Sequence, residues 1–264
     1  MKNIIKLSLI ITALIIAISA CGKNKLSVTV AGSTAFQPFA EKLADQYMKL
    51  HPDTNITIQG GGSSVGIQSA LSGAAQIGMA DLVILPAEAK TLSSVVVARD
   101  GIAVIVNLKN KINNLTFSQI RDIYNGKITN WKNVGGNDHP ITVISREAGS
   151  GTRSSFEAII KDVMLTNSAI IQDSNGTVRE TVNNDVNTIG YISHGLVNEK
   201  IKPVMVNGVA SSTEEIINGK YSLVRPIFFL TKEAPKNKIK EFIDYILSKQ
   251  GQETIKQNGL IPAN

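Results

Sequence analysis

The sequence predicts an α/β protein in two lobes, with helices packed on a largely parallel sheet. Short apolar strands alternate with amphipathic helices, which is the rhythm of βαβ units. The 264 residues are 43% hydrophobic and 18% charged, a composition that excludes disordered, collagen-like and coiled-coil chains. A chain of this length buries a substantial core, as one large or two modest domains.

In the first part of the chain, each predicted helix follows a strand after a short turn. The stretch 36–50 predicts an amphipathic helix, because its apolar residues recur every three or four positions. Pro52 ends this helix, since proline disfavours helical geometry at the residue before it. The predicted elements are strands at 26–30, 55–58 and 77–81, with helices at 36–50 and through Ile67 and Leu71.

Beyond these elements lies a long apolar stretch, 95–106, which the polar run Arg99-Asp-Gly101 is expected to break. The last helix, 239–247, has its apolar residues on one side. The other predicted elements of this part are helices at 115–124 and 155–164, and strands at 141–144, 189–192, 204–206 and 225–230.

The first twenty residues have the organisation of an export signal. A basic stretch, 1–6, precedes an apolar stretch, 7–18, that is shorter than the ~20 residues a membrane-spanning helix needs. An uncleaved N-terminal anchor helix is the alternative. Cys21 is the only cysteine, which excludes an internal disulfide and a CxxC metal site. We predict a signal peptide at 1–20 and a short tether at 21–25.

The residues around Cys21 resemble the lipobox of bacterial lipoproteins: Ile18-Ser-Ala-Cys-Gly22. The resemblance implies that the signal is cut before Cys21 and that its thiol carries lipid, palmitate among the chains. The polar residues 22–25 argue against the alternative, a cysteine buried in the core. The mature protein is then expected to be lipid-anchored on the extracytoplasmic face of the cell membrane, as in a Gram-positive bacterium.

The net charge gives little support to a nucleic-acid partner. The chain has 27 basic and 21 acidic residues, a formal charge of +6. Removal of residues 1–20 takes away Lys2 and Lys6, so that 27 − 2 = 25 basic residues and a net charge of +4 remain. The basic residues are scattered and form no stripe.

Three strand-to-helix turns combine glycine with small hydroxyl residues: Gly32-Ser-Thr34, Gly62-Ser-Ser64 and Gly149-Ser-Gly-Thr152. A helix N-terminus presents unpaired N–H groups, and glycine lets an anion approach the backbone. Such turns at the carboxyl ends of parallel strands predict an anion site. The alternative for each turn is simple N-capping by Ser or Thr.

Arg146 lies three residues before the third turn. Its planar guanidinium suits a tetrahedral oxyanion. The alternative is a surface ion pair, and spacing alone leaves both interpretations open.

Eight motifs follow one another along the chain: AGSTAFQP (31–38), IQGGGSSVG (58–66), IGMAD (77–81), ARDGIAVIVN (98–107), FSQIRDIYNGKITNW (117–131), SREAGSGTRSSFE (145–157), NTIGYIS (187–193) and YSLVRPIFFLTKE (221–233). In this joint order, which is specific, the chain resembles a known family, the phosphate-binding lipoproteins of bacterial ABC phosphate importers. The resemblance covers essentially the whole mature chain.

The resemblance implies an α/β, two-lobed periplasmic-binding-protein-like (type II) fold with two hinge-crossing strands and a central ligand cleft. One lobe is expected at 26–104 plus 227–264, and the other at 105–226. The crossings are expected within 103–106 and 225–228.

The resemblance also implies the function and the site. A monomer captures inorganic phosphate and delivers it to an ABC permease and its ATPase, without a cofactor, a metal or catalysis. Asp81 is expected to accept a proton from the phosphate, and Arg146 to be the direct cation. The expected phosphate-binding residues are Thr34, Ala35, Ser63, Asp81, Arg146, Ser150, Gly151 and Thr152.

Alternatives remain open for the function and for Asp81. The ligand could be another oxyanion, such as sulfate or molybdate. A phosphoryl-transfer enzyme could use the same turns, although the sequence has no GxxxxGK[ST] motif. A structural or adhesive surface lipoprotein would bind no small ligand. Asp81 itself could cap a turn and face solvent.

Overall fold

The computed structural model describes residues 26–263, so the predicted signal peptide and the predicted lipidation at Cys21 lie outside the described residues. The strands are β1 Leu26–Gly32, β2 Thr54–Gln59, β3 Ile77–Ala80, β4 Ser93–Asn107, β5 Asn114–Leu115, β6 Thr142–Arg146, β7 Ile170–Gln172, β8 Thr188–Ser193, β9 Ile201–Pro203, β10 Met205–Val206, β11 Val224–Thr231 and β12 Ile261–Pro262. The helices are α1 Gln37–Leu50, α2 Ser63–Ser72, α3 Phe117–Tyr124, α4 Gly151–Ile160, α5 Asn175–Asn184, α6 Thr213–Ile217, α7 Asn237–Leu247 and α8 Lys249–Gln257.

One sheet runs through both halves of the molecule, in the order β2-β1-β3-β11-β4-β8-β6-β7. At one end β1 pairs in parallel with β2 and β3, and at the other β6 pairs in parallel with β7 and β8. The antiparallel strands β4 and β11 lie between these two parallel groups. The α/β class with parallel strand groups is therefore confirmed.

The side chains form two principal cores, one in each half. The first packs Leu43 and Tyr47 of α1 with Phe229 of β11 and Phe242 of α7. The second packs aromatic residues of the other half, with Phe156 and Tyr191 stacked at a centroid distance of 4.1 Å. Two separate cores joined by shared strands are the expected two-lobed arrangement.

The change from one core to the other occurs within β4. Ala98 packs in the first core, whereas Ile102 and Val104 pack in the second. The chain therefore changes cores between 98 and 102, slightly before the crossing predicted at 103–106, because residues 102–106 already pair with β8. The complete lobe boundaries stay a prediction.

Two predicted elements differ from the structure. Residues 99–101 do not break β4, because they continue its antiparallel pairing with residues 224–226 of β11. The helix predicted at 155–164 is α4, which begins earlier because the Ser150 side chain caps its N-terminus. It ends earlier because Lys161 and Asp162 adopt positive φ angles of 62° and 52°.

Helices α5, α6 and α8 were not predicted at all. Helix α5 is rich in Asn, Thr and Gly, which are weak helix formers, but a capping box at Ser174 and Thr177 fixes its start. Helix α8 follows α7 after a single residue, Ser248, whose side chain caps it. Among residues 26–263, no helix has the length and apolar character that crossing a membrane would require.

Candidate functional site

The three glycine–hydroxyl turns follow β1, β2 and β6 and lead into α1, α2 and α4. Ser150 caps its helix, because its Oγ accepts a hydrogen bond from the Arg153 backbone N–H at 3.2 Å. Ser63 does not cap its helix: α2 has no side-chain cap, and the Ser63 hydroxyl donates to Asp81 instead. The first backbone N–H groups of each helix lack intrahelical acceptors.

Asp81 follows β3 directly and is 1% exposed, so the alternative that it faces solvent is wrong. Its Oδ1 accepts a hydrogen bond from Ser63 Oγ at 2.7 Å, and its Oδ2 accepts one from Thr152 Oγ1 at 3.0 Å. Its own backbone N–H donates to Ser63 Oγ at 3.0 Å. The carboxylate therefore lies between hydroxyls of α2 in one lobe and α4 in the other.

Further contacts join the two lobes around Asp81. Ser155 Oγ donates to the Asp81 carbonyl at 2.9 Å and accepts from the Val83 N–H at 3.1 Å. The Ser64 N–H donates to the Gly149 carbonyl at 3.1 Å. These bonds hold the N-terminal turns of α2 and α4 against each other, so that their N–H groups face the same region.

Gly151 lies where the two lobes approach each other closely. A Cβ atom added there would overlap Ser63 Oγ and Asp81 Oδ1 far inside van der Waals contact. Glycine is required because the backbone of α4 passes directly over the Asp81 carboxylate.

Asn175 makes further polar contacts with residues of the site. Its Nδ2 donates to Thr34 Oγ1 at 3.2 Å and lies 3.4 Å from Thr152 Oγ1. Its Oδ1 accepts from the Ser193 N–H at 2.9 Å. Asn175 therefore links the first turn to the third, and the first turn includes the buried Ala35.

Arg146 is buried, being 1% exposed, so it is not a surface residue, although it does form an ion pair. Its Nε and Nη2 donate to Glu147 Oε2 and Oε1 at 2.9 and 2.8 Å. The same two nitrogens also donate to the backbone carbonyls of Gln172 and Asp173. Among residues 26–263 its Nη1 has no hydrogen-bond partner, so one edge of the guanidinium keeps a free, buried donor.

Glu147, the partner of Arg146, lies next to the second turn. A Cβ atom at Gly62 would come within 3.0 Å of Glu147 Oε1, so the pair abuts the second turn. A bidentate carboxylate fixes the plane of the guanidinium, which orients the free Nη1 edge.

A second buried arginine, Arg225 of β11, lies behind Asp81. Its Nη2 lies 3.0 Å from Asp81 Oδ2 and 2.8 Å from Asp100 Oδ2. Asp100 Oδ1 also accepts from Ser193 Oγ at 3.0 Å. Burial raises the pKa of Asp100 to about 6, although the charge of Arg225 opposes this shift.

The structure thus brings Ser63, Asp81, Gly151 and Thr152 into direct proximity and connects Thr34 to them through Asn175. Ala35, Ser150 and Arg146 are buried at the turns or strand ends bordering this group. Sequence reasoning missed Glu147, Asn175 and Arg225, which contact predicted site residues, and Asp100, which lies behind them in contact with Arg225. Glu147 could have been identified from the sequence, since it adjoins Arg146 within the motif at 145–157.

Chemically, the arrangement suits an anion that carries a proton. Backbone N–H groups, hydroxyls and the free Arg146 edge can donate to oxygens, whereas the Asp81 carboxylate can only accept when ionised. Within the described 26–263, no group of three His, Cys, Asp or Glu side chains is placed to hold a metal ion.

Comparison with known proteins agrees with this geometry. The family model of the PBP superfamily domain matches residues 18–250. The phosphate-binding protein PstS of Bacillus subtilis is 31% identical over 99% of this chain and 94% of its own length. PstS of Borreliella burgdorferi is 29% identical over 90% of each chain.

Solved structures show the same likeness. A phosphate ABC transporter substrate-binding protein from Clostridium perfringens, solved with bound phosphate, superposes with a TM-score of 0.87 at 41% identity. The alignment covers 90% of this chain and all of that one. An ABC-type phosphate transport receptor from Vibrio cholerae gives a TM-score of 0.75 at 35% identity, over 89% of this chain and 99% of that one.

Proposed function

The chain belongs to the phosphate-binding substrate-binding proteins of the PBP superfamily, and from this premise we propose that it captures inorganic phosphate between its two lobes and delivers it to an ABC importer. The observation that carries the proposal is the buried Asp81 carboxylate between the Ser63 and Thr152 hydroxyls. Phosphate near neutral pH keeps a hydroxyl that can donate to Asp81, whereas sulfate has none. The site thus fits phosphate and opposes a fully deprotonated anion.

The other residues supply donors to the phosphate oxygens. The N-terminal turns of α2 and α4 present the N–H groups of Ser63, Gly151 and Thr152, and the helix dipoles favour a negative charge there. The hydroxyls of Ser63 and Thr152 exchange their bonds to Asp81 for bonds to phosphate or share them. Arg146 contributes its Nη1 donor and its charge.

The first and third turns complete the proposed phosphate shell. Thr34 and Ala35 donate from the turn that follows β1. Ser150 contributes at the third turn through its backbone, because its side chain already caps α4. Another oxyanion, sulfate or molybdate, is the alternative ligand.

We propose no catalytic role for this site. Residues 62–66, GSSVG, do match the G-x-S-x-G pattern of hydrolase nucleophiles, and this turn lies between β2 and α2. Ser64, however, is exposed, and two of the three described histidines have other neighbours: His51 stacks on Tyr47, and His194 contacts Thr213. A phosphatase assay with and without divalent metal tests this point, and turnover by the purified chain would contradict it.

A thermal-shift screen tests the ligand. Phosphate at a hundredfold excess over Kd should stabilise the folded chain by about 2.7 kcal/mol. Sulfate and molybdate at the same concentration should give little or no shift. A larger shift with sulfate or molybdate would identify that anion as the ligand in place of phosphate. No shift with any of the three anions would favour a structural surface protein.

We further propose that the protein works as a monomer anchored by lipid on Cys21, on the extracytoplasmic side of the cell membrane. Support comes from the sequence around Cys21 and from β1 beginning only five residues later, at Leu26. Two or more acyl chains would hold the folded body stably at the bilayer. The Cys21→Ser variant should fold and bind phosphate but remain unprocessed or be shed into the medium. Processing and membrane attachment equal to wild type would contradict the anchor.

A further inference from the structure

The two strands shared by the lobes carry a buried pair of opposite charges. Arg225 of β11 and Asp100 of β4 are direct partners in the antiparallel register, at the point where β4 changes cores. Both side chains are fully buried. Nothing in the proposed phosphate shell explains why charged groups are buried at this position.

The Arg225 guanidinium also reaches the phosphate site. One nitrogen, Nη2, bridges Asp100 Oδ2 at 2.8 Å and Asp81 Oδ2 at 3.0 Å. Its Nε and Nη1 have no hydrogen-bond partner among the described residues. Two carboxylates therefore share one cation, and the three groups carry a net charge of −1 when all are ionised.

The charged and polar groups facing Asp81 come from four elements. They are Arg225 from β11, Asp100 from β4, and the hydroxyls of Ser63 from α2 and Thr152 from α4. Tyr221 is a further titratable neighbour of Asp100. Arg225 is the only cation among these groups of the described chain.

Without Arg225, the buried Asp81 carboxylate would have no cationic partner among the described residues, and a buried carboxylate without a partner is costly unless it is neutral. A neutral carboxyl group can donate a hydrogen bond as well as accept one. It could then donate to a sulfate oxygen, and the distinction between a protonated and an unprotonated anion would be lost.

We propose that Arg225 is a positioning residue that determines specificity: it holds Asp81 as an oriented, ionised acceptor, so that the cleft takes an oxyanion only when the anion brings its own proton. This inference rests on the proposed phosphate function and deepens it. A purely structural role, in which the Arg225–Asp100 pair only ties the two strands together, is the alternative.

Two substitutions separate these roles because they remove opposite ends of the pair. Arg225→Gln removes the cation from Asp81, whereas Asp100→Asn leaves Arg225 wholly available to Asp81. A structural tie would be broken equally by either change. Arg121→Gln is the matched control, because Arg121 forms a partly exposed pair with Asp162 at 3.9 Å, away from the site.

The experiment measures competition of sulfate against labelled phosphate on the purified full chain at about pH 8. For Arg225→Gln we expect the sulfate-to-phosphate affinity ratio to rise at least tenfold. Asp100→Asn and Arg121→Gln should keep the wild-type ratio. Arg225→Lys, which retains the charge, should restore most of the selectivity.

An unchanged ratio in Arg225→Gln, or equal changes in Arg225→Gln and Asp100→Asn, would overturn the inference and leave a structural tie. Failure of the wild-type chain to bind phosphate would instead overturn the proposed function. If Arg225→Gln does not fold, the double variant Arg225→Met/Asp100→Asn replaces it, because a buried ion pair can often be replaced by uncharged residues without loss of stability. A raised sulfate-to-phosphate ratio in the double variant is the expected result, and the wild-type ratio would contradict the role of Arg225.

Discussion

Substitution of Gly151 by alanine should stop the two lobes from closing around the ligand. The added methyl group would overlap Ser63 Oγ and Asp81 Oδ1, which belong to the opposite lobe. The overlap cannot be relieved by a flexible side chain, because both oxygens are buried and held by mutual hydrogen bonds. The lobes must then separate, or Ser63 and Asp81 must abandon their positions.

The size of the effect follows from the contacts that separation removes. Loss of two charge-assisted hydrogen bonds to the anion, at about 1.5–3 kcal/mol each, weakens binding by about 3 kcal/mol or more. This corresponds to an increase in Kd of roughly a hundredfold or more. The variant should still fold, because each lobe has a hydrophobic core of its own.

Calorimetric titration with phosphate measures the change, and urea unfolding confirms that the variant is folded. Gly176→Ala is the control, because Gly176 also lies in the first turn of a helix, α5, but its Cβ would meet only Ser174 Oγ at 3.7 Å. The control should bind as wild type does. Wild-type affinity in Gly151→Ala, within about threefold, would refute a closed site between these turns.

Three further predictions concern charged residues in the site and directly behind it. Arg146→Ala should weaken phosphate binding by about 2–5 kcal/mol, roughly 30-fold to several thousand-fold in Kd, because the anion loses its charged donor. An increase in the calorimetric Kd below about threefold would exclude direct contact between Arg146 and phosphate. Asp81→Asn should cost about 1 kcal/mol for phosphate but admit sulfate in a competition assay, whereas equal exclusion of sulfate by both proteins would place selectivity elsewhere. Burial raises the pKa of Asp100 from 3.8 to about 6, so the folded chain retains a proton that the unfolded chain releases. The free energy of unfolding should therefore fall by about 3 kcal/mol as the pH rises from about 4 to 7. Urea unfolding should show this fall in the wild type but not in Asp100→Asn, and identical pH profiles would contradict it.

The parts of the site that could be predicted from the sequence are those with local signals. Gly62, Ser63 and Gly149 lie where an alternating strand gives way to helical spacing, and this change can be recognised within ten residues. The two-lobed arrangement and the role of Asp81 came instead from the resemblance of ordered motifs. Its burial then excluded the solvent-facing alternative.

The parts that were missed depend on distant pairing. Asp100 and Arg225 are 125 residues apart, and only the antiparallel register of β4 and β11 brings them together. The polar run at 99–101 suggested a break in the strand, because charged residues are rarely buried unless they are paired. The pairing partner supplies the explanation, and it cannot be identified from spacing along one segment.

Asn175 was missed for a different physical reason. Its helix has little intrinsic propensity and is stabilised by its Ser174 cap and by packing of Val178 and Val182 in a small core of the second lobe. Tertiary contacts therefore decide both that the helix exists and that its first residue reaches Thr34 and Thr152.

Isothermal titration of the purified chain with inorganic phosphate tests the central claim most directly. One phosphate per chain should bind with a Kd in the micromolar range or below, which is about −8 kcal/mol or better. Millimolar sulfate should displace little of it. The absence of heat at millimolar phosphate, together with an unchanged melting temperature, would contradict a phosphate site between the lobes.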